Sequence, residues 1–174
     1  FGAVGGCCCA VGRQGRMCIW DRHPSFSRDG KRLAFVTWDD VKLGAVHTIN
    51  LTTGALTTHT DKPGHYAHPA LSPEGDYLTF EKHGGGNLTA PEWSDAQGIY
   101  IHDIYGGEAE RVTQSGTMPH LGGDDFSLYM KRFEDDKHAI VSVNLLGHDN
   151  RRHGSSEMDQ SDSVSYAGSE VAIQ

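Results

Sequence analysis

After Cys18 the chain contains no cysteine: all four, Cys7, Cys8, Cys9 and Cys18, fall within the first 18 of its 174 residues. The rest therefore has no disulfide framework, which an exported protein tolerates as well as a cytosolic one. Three adjacent cysteines also lack zinc-site spacing, which needs pairs separated by two to four residues. Long apolar runs are missing too. With no stretch of 18 apolar residues, no segment reads as a membrane-spanning helix. Basic charge is scarce: the formal charge is −8, and the basic doublets Lys31-Arg32, Lys131-Arg132 and Arg151-Arg152 are each too short for a footprint. A nucleic-acid footprint calls for a Lys/Arg surplus, so nucleic acid is excluded as a partner. No amphipathic helical period of any length occurs either.

What is present is a repeat. "PSFSRDGKRLAF" from Pro24 returns as "PALSPEGDYLTF" from Pro69, "PHLGGDDFSLYM" from Pro119 and "DSVSYAGSEVAI" from Asp162, in steps of 45, 50 and 43 residues. Steps of roughly 40–50 residues are those of propeller blades. In each copy a short strand enters a four-residue turn, Ser27-Arg28-Asp29-Gly30 in the first and Ser72-Pro73-Glu74-Gly75 in the second. Ser first, Pro second and Gly fourth are type I turn preferences. A strand with alternating large residues follows: Leu33/Phe35, Leu78/Phe80, Leu128/Met130 and Val171/Ile173. Intervening residues such as Ala34 and Val36 are apolar as well, the pattern of a sheet covered on both faces.

A second hairpin fills each period: "VHTINLTTGALTTHT" from Val46, "IYIHDIYGGEAERVT" from Ile99 and "IVSVNLLGHDNRRH" from Ile140. Glycine marks each turn. One period thus holds four strands, and four-stranded antiparallel blades arranged radially make a β-propeller. The expected fold is all-β, with blades over about 24–60, 69–113 and 119–153 and the first half of a fourth over 161–174. Closed propellers have four to eight blades, so the expectation is an incomplete propeller and a chain that is a fragment; an open arc closed by oligomerisation is the alternative. Residues 1–20, rich in Gly, Cys and Arg without alternation, read as an atypical leader, artefactual or disordered, ahead of a propeller over 21–174. They fail as a signal peptide, because the charge follows the apolar stretch.

"PSFSRDGKRLAFVTWDD" followed by "IYIHDIYGGEAERVT" resembles the TolB-like, WD40-like propeller repeat, whose consensus is Pro-x-x-Ser-Pro-Asp-Gly, an apolar strand and a second hairpin ending in Leu-Thr. Over about residues 22–174, "VTWDD" at Val36 and "PGHYAHPALSPEGDYLTFEKHGGGNLTAPEW" at Pro63 are similar to the propeller that precedes the catalytic domain of certain exported bacterial amidohydrolases. The same generic repeat occurs in TolB itself, in tricorn-type proteases and in prolyl-oligopeptidase relatives. The resemblance implies a non-catalytic propeller of a larger periplasmic or otherwise exported hydrolase, acting as scaffold, substrate gate or docking surface. Its partners would be a covalently linked catalytic domain or other envelope proteins. Any divalent metal would belong to the parent enzyme, with no cofactor in this segment. A TolB-like interaction module without an enzyme domain, and the propeller of a serine peptidase, are the alternatives. Blade three departs from the pattern, with Gly123 and Asp125 where the turn's Pro and Gly would stand.

Catalytic signatures are missing: there is no His-x-His, Gly-x-Ser-x-Gly, His-Glu-x-x-His or phosphate loop. No catalytic residue and no metal ligand set is assigned. The run "HGGGN" at His83 reads as a connection between strands. Asp39-Asp40, Asp124-Asp125 and Glu134-Asp135-Asp136 lack calcium-loop spacing and read as interstrand loops, and Trp38 and Trp93 as packing between blades. Among eleven histidines, His65 and His68 are near enough in sequence to chelate if the backbone curls, but read as a turn and a strand entrance. His23, His68 and Met118 occupy one equivalent position before the repeated Pro. If that strand is innermost they ring the channel mouth, which makes them the candidate binding residues.

Overall fold

A computed structural model describes residues 24–39, 41–84, 95–123, 126–156, 164–167 and 170–173. The 1–20 leader, His23, Asp40, Trp93, Asp124, Asp125 and most of the "HGGGN" run lie outside them. Among the described residues there is no helix, and so none long and apolar enough to cross a membrane.

Among the described residues, fourteen strands form three four-stranded sheets and a hairpin, with neighbours antiparallel and in sequence order. Blade one holds β1 (Ser25–Phe26), β2 (Arg32–Asp39), β3 (Leu43–Asn50) and β4 (Leu56–Thr58). In blade two are β5 (His65–Leu71), β6 (Tyr77–His83), β7 (Gly98–Asp103) and β8 (Glu110–Thr113). Blade three comprises β9 (Thr117–Leu121), β10 (Ser127–Glu134), β11 (Lys137–Asn144) and β12 (Arg151–Ser156), and β13 (Val164–Ala167) pairs with β14 (Glu170–Ile173). The architecture is an incomplete β-propeller, an open arc of blades.

The repeated serine builds the first turn of each of blades one and two. Ser27 Oγ accepts the Arg32 N–H at 3.0 Å and donates to Asp29 Oδ1 at 2.7 Å; Ser72 Oγ accepts the N–H groups of Asp76 and Tyr77, both at 3.1 Å. Gly30 (φ 68°) and Gly75 (φ 79°) donate to the carbonyls of Ser27 and Ser72, each at 2.9 Å, in a left-handed conformation that glycine adopts without strain. The second hairpins rest on Asn50, Asp103 and Asn144, whose side-chain oxygens accept backbone N–H groups two to four residues on.

The blades bury their faces on one another. Leu71, Leu78, Phe80 and Tyr66 of blade two pack on Ala34, Val36 and Val46 of blade one. Ile99 and Ile101, on the opposite face of blade two, pack on Leu121, Leu128 and Met130 of blade three. The first strand of a sheet is the one reaching its neighbours: β5 touches β1, β2 and β3 on one side and β9 on the other. Arg32 ties the first seam at its rim, donating to the Gly75 carbonyl at 2.7 Å and lying over the Tyr105 ring at 5.1 Å.

Blade one breaks the pattern. Its repeat counterparts of the buried Leu71, Leu78 and Phe80 are Phe26, Leu33 and Phe35; Phe26 is 59% exposed and the other two are only half-buried. Phe26 and Leu33 are cross-strand partners on one face of the sheet, as are Leu71 and Leu78.

Candidate functional site

Two of the residues expected at the channel mouth are described, and they share an unusual backbone. His68 (φ 48°) and Met118 (φ 53°) both sit in the left-handed region, each in the first strand of its sheet and before a buried proline. The pairing register shifts beside each of them, between Ala67 and Ala70 in β5 and between Tyr129 and Lys131 opposite β9. A one-residue bulge of this kind re-aims a side chain out of the regular alternation. Both remain half-buried.

At blade two the bulge turns His68 toward β6. His68 Nδ1 lies 3.0 Å from Glu81 Oε2, and His83 Nδ1 lies 3.1 Å from Glu81 Oε1. One donor atom from each of the three residues falls within 4.8 Å of the others. Glu81 pairs with Ile99 across the β6–β7 ladder, so its side chain shares the face that meets blade three. It is 5% exposed, and a carboxylate so buried requires strong partners. The His68 and His83 side chains, at 21% and 30% exposed, place the group within reach of solvent. His83 Nε2 is buried and has no hydrogen-bond partner, a condition that costs about 1–3 kcal/mol.

His65 pairs with His83 across β5 and β6, their rings 4.9 Å apart, and the His65 ring meets Trp38 of blade one at 5.6 Å. His65 and His68 were expected in a turn and at a strand entrance; His65 opens β5 and His68 lies inside it. Likewise Asp39 ends β2 and Glu134 ends β10, so these two acidic runs begin in strands, and Asp135 and Asp136 form the β10–β11 turn.

Several other histidines serve packing. His59 Nε2 meets the Thr48 hydroxyl at 2.7 Å and its ring meets His102 at 5.0 Å; His153 Nε2 meets the Ser142 hydroxyl at 2.7 Å. Burial, reinforced by the neighbouring His102, His47 and Arg32 charges, lowers the His59 pKa from 6.5 to about 4. Burial lowers that of His47 and His102 as well.

The cluster was not visible to a search for closely spaced ligands, because His68 and the Glu81/His83 pair belong to different strands. Its sequence signal was the register itself: Glu81 and His83 alternate on one face of β6, and the β5 hairpin partner carries His68 opposite them.

No family model matches the chain. The Tol-Pal system protein TolB of Francisella tularensis subsp. tularensis (strain WY96-3418) is 29% identical over 90 residues, covering 52% of this chain and 19% of that protein. Among solved structures, TolB from Acinetobacter baumannii superposes with a TM-score of 0.59 at 18% identity, covering 82% of this chain and 34% of that one. The β-propeller domain of the Trilobed protease from Pyrococcus furiosus, described as having an open velcro topology, gives a TM-score of 0.58 at 12% identity over 87% of this chain and 47% of that one. The chain therefore spans half or less of the length of these relatives. What the likenesses share is architecture, and the chain has a TolB-like β-propeller fold.

Proposed function

We propose that this chain supplies blades to the propeller of a larger, exported hydrolase of the amidohydrolase type, in which it acts as scaffold, substrate gate or docking surface and takes no part in bond-making. One observation carries the larger-propeller part of this reading. Phe26, Leu33 and Phe35 leave on blade one the apolar face that Leu71, Leu78 and Phe80 bury in blade two. A sheet face of that composition is built to receive another blade. The amidohydrolase part is supported by the strings at Val36 and Pro63. In such an enzyme the catalytic metal would be held by a following barrel with its own His-x-His strand, a motif this chain does not contain.

The likeness to TolB favours a second reading, a periplasmic propeller that binds other envelope proteins. Reading the parent open reading frame across both ends separates the two. Further blades followed by a His-x-His strand support the hydrolase. A stop codon after the last blade with no barrel supports the interaction module and removes the enzyme, and a downstream Gly-x-Ser-x-Gly would make the parent a serine peptidase.

A further inference from the structure

We propose that His68, Glu81 and His83 form a binding site for one divalent first-row transition ion, with Zn²⁺ the best match, held by His68 Nδ1, His83 Nδ1 and the Glu81 carboxylate. The donor set selects the class: two imidazoles and a carboxylate suit zinc and its first-row neighbours, whereas calcium and magnesium favour all-oxygen sites. The spacing fits as well. Ligand atoms each about 2.1 Å from one tetrahedral ion stand about 3.4 Å from each other. His68 Nδ1 and His83 Nδ1 stand 3.0 and 3.1 Å from different oxygens of the Glu81 carboxylate, and one donor atom of each residue lies within 4.8 Å of the others, near that separation.

Hydrogen bonding within the trio would by itself account for those distances, so the comparison between blades matters. At the three equivalent positions blade three carries Met118, Lys131 and Phe133, with the same bulge and the same left-handed backbone at Met118. In blade one, Val36 and Trp38 stand where blade two has Glu81 and His83. The blade plan is thus satisfied without any ligand residue, and the His–Glu–His set is particular to blade two. As a purely structural device the trio is poor, because it buries a carboxylate between two partly exposed imidazoles. The partial exposure of both histidine side chains gives an ion a way in, and three protein ligands leave a fourth position open. Because β5 is the strand that reaches both neighbouring blades, the bound ion would lie toward the inner side of the arc. This proposal stands independently of what the parent protein does.

The test uses the full 174-residue chain with Cys7, Cys8, Cys9 and Cys18 changed to Ser, so that thiolates do not compete. Metal-stripped protein is titrated with Zn²⁺ by calorimetry, beside His68→Met and His83→Phe, which install the blade-three residues. The expected result is one Zn²⁺ per chain, with affinity lowered about 100-fold or more in either variant, and a zinc-edge X-ray absorption spectrum showing two imidazoles. Absence of stoichiometric binding, or binding by both variants as tight as that of the chain with its histidines intact, overturns the site. Should a variant lose its β-sheet circular dichroism, the absorption spectrum of the chain with its histidines intact decides, and a shell without two imidazoles overturns the proposal.

Discussion

The Gly44 amide donates to the Gly64 carbonyl at 2.9 Å, an antiparallel bridge that joins blade one to the strand entrance of blade two. A Cβ on Gly44 would stand 2.5 Å from that carbonyl oxygen. Because the obstacle is backbone, the seam itself must open to admit a methyl group. Gly44→Ala is expected to destabilise the chain by about 1–3 kcal/mol, seen as a lower urea midpoint. A midpoint unchanged from the parent chain would show that this bridge does not hold the blades.

Phe80 lies stacked on Tyr100 at 5.6 Å and edge-on to Tyr66 at 5.6 Å, with 1% of its surface exposed. Phe80→Ala should cost about 3–5 kcal/mol. Phe35→Ala, at the repeat-equivalent but half-exposed position of blade one, should cost less than half as much. Equal losses would mean that the Phe35 face is buried as fully as that of Phe80.

Acid should loosen the fold through His59. Its pKa falls from 6.5 to about 4 on folding, so the unfolded chain binds the proton more readily between those values. The sign follows: the contribution of His59 is complete above pH 6.5 and is lost as pH falls toward about 4. Melting temperature followed from neutral pH downward should drop, and His59→Gln should flatten that drop. A drop of unchanged steepness in the variant would assign it to other groups.

The Phe26/Leu33 face predicts association of the 174-residue chain with itself. Sedimentation should reveal concentration-dependent oligomers, reduced by Phe26→Thr with Leu33→Thr. A chain that remains monomeric at all concentrations, before and after the double substitution, would mean that this face needs no cover.

Much of the blade plan could be read from local chemistry, since Ser27 and Ser72 set their turns with bonds that span no more than five residues. The bond that joins the two strands persists even where the turn signature fades: in blade three the Gly122 amide still donates to the Ser127 carbonyl at 2.7 Å. Asn50, Asp103 and Asn144, which organise the second turns, were legible as turn-forming residues but were overshadowed by the glycines beside them. Burial was not legible. Leu33 and Leu78 have the same place in the same pattern, yet one is half-exposed and the other fully buried, because burial depends on the neighbouring blade. The metal-type cluster escaped for a related reason: a bulge at His68, a tertiary feature of the β5–β6 ladder, is what brings that ring onto Glu81.

The central claim, that the blade-one face receives another blade, is tested most directly by the reactivity of a thiol at position 26. Phe26→Cys, with Cys7, Cys8, Cys9 and Cys18 changed to Ser, is labelled in the 174-residue chain and in the complete product of its gene. The account predicts rapid labelling of the 174-residue chain at a concentration where it is monomeric, and strong protection in the complete gene product. Equal rates in the two, or a gene that encodes no further blade, would contradict it.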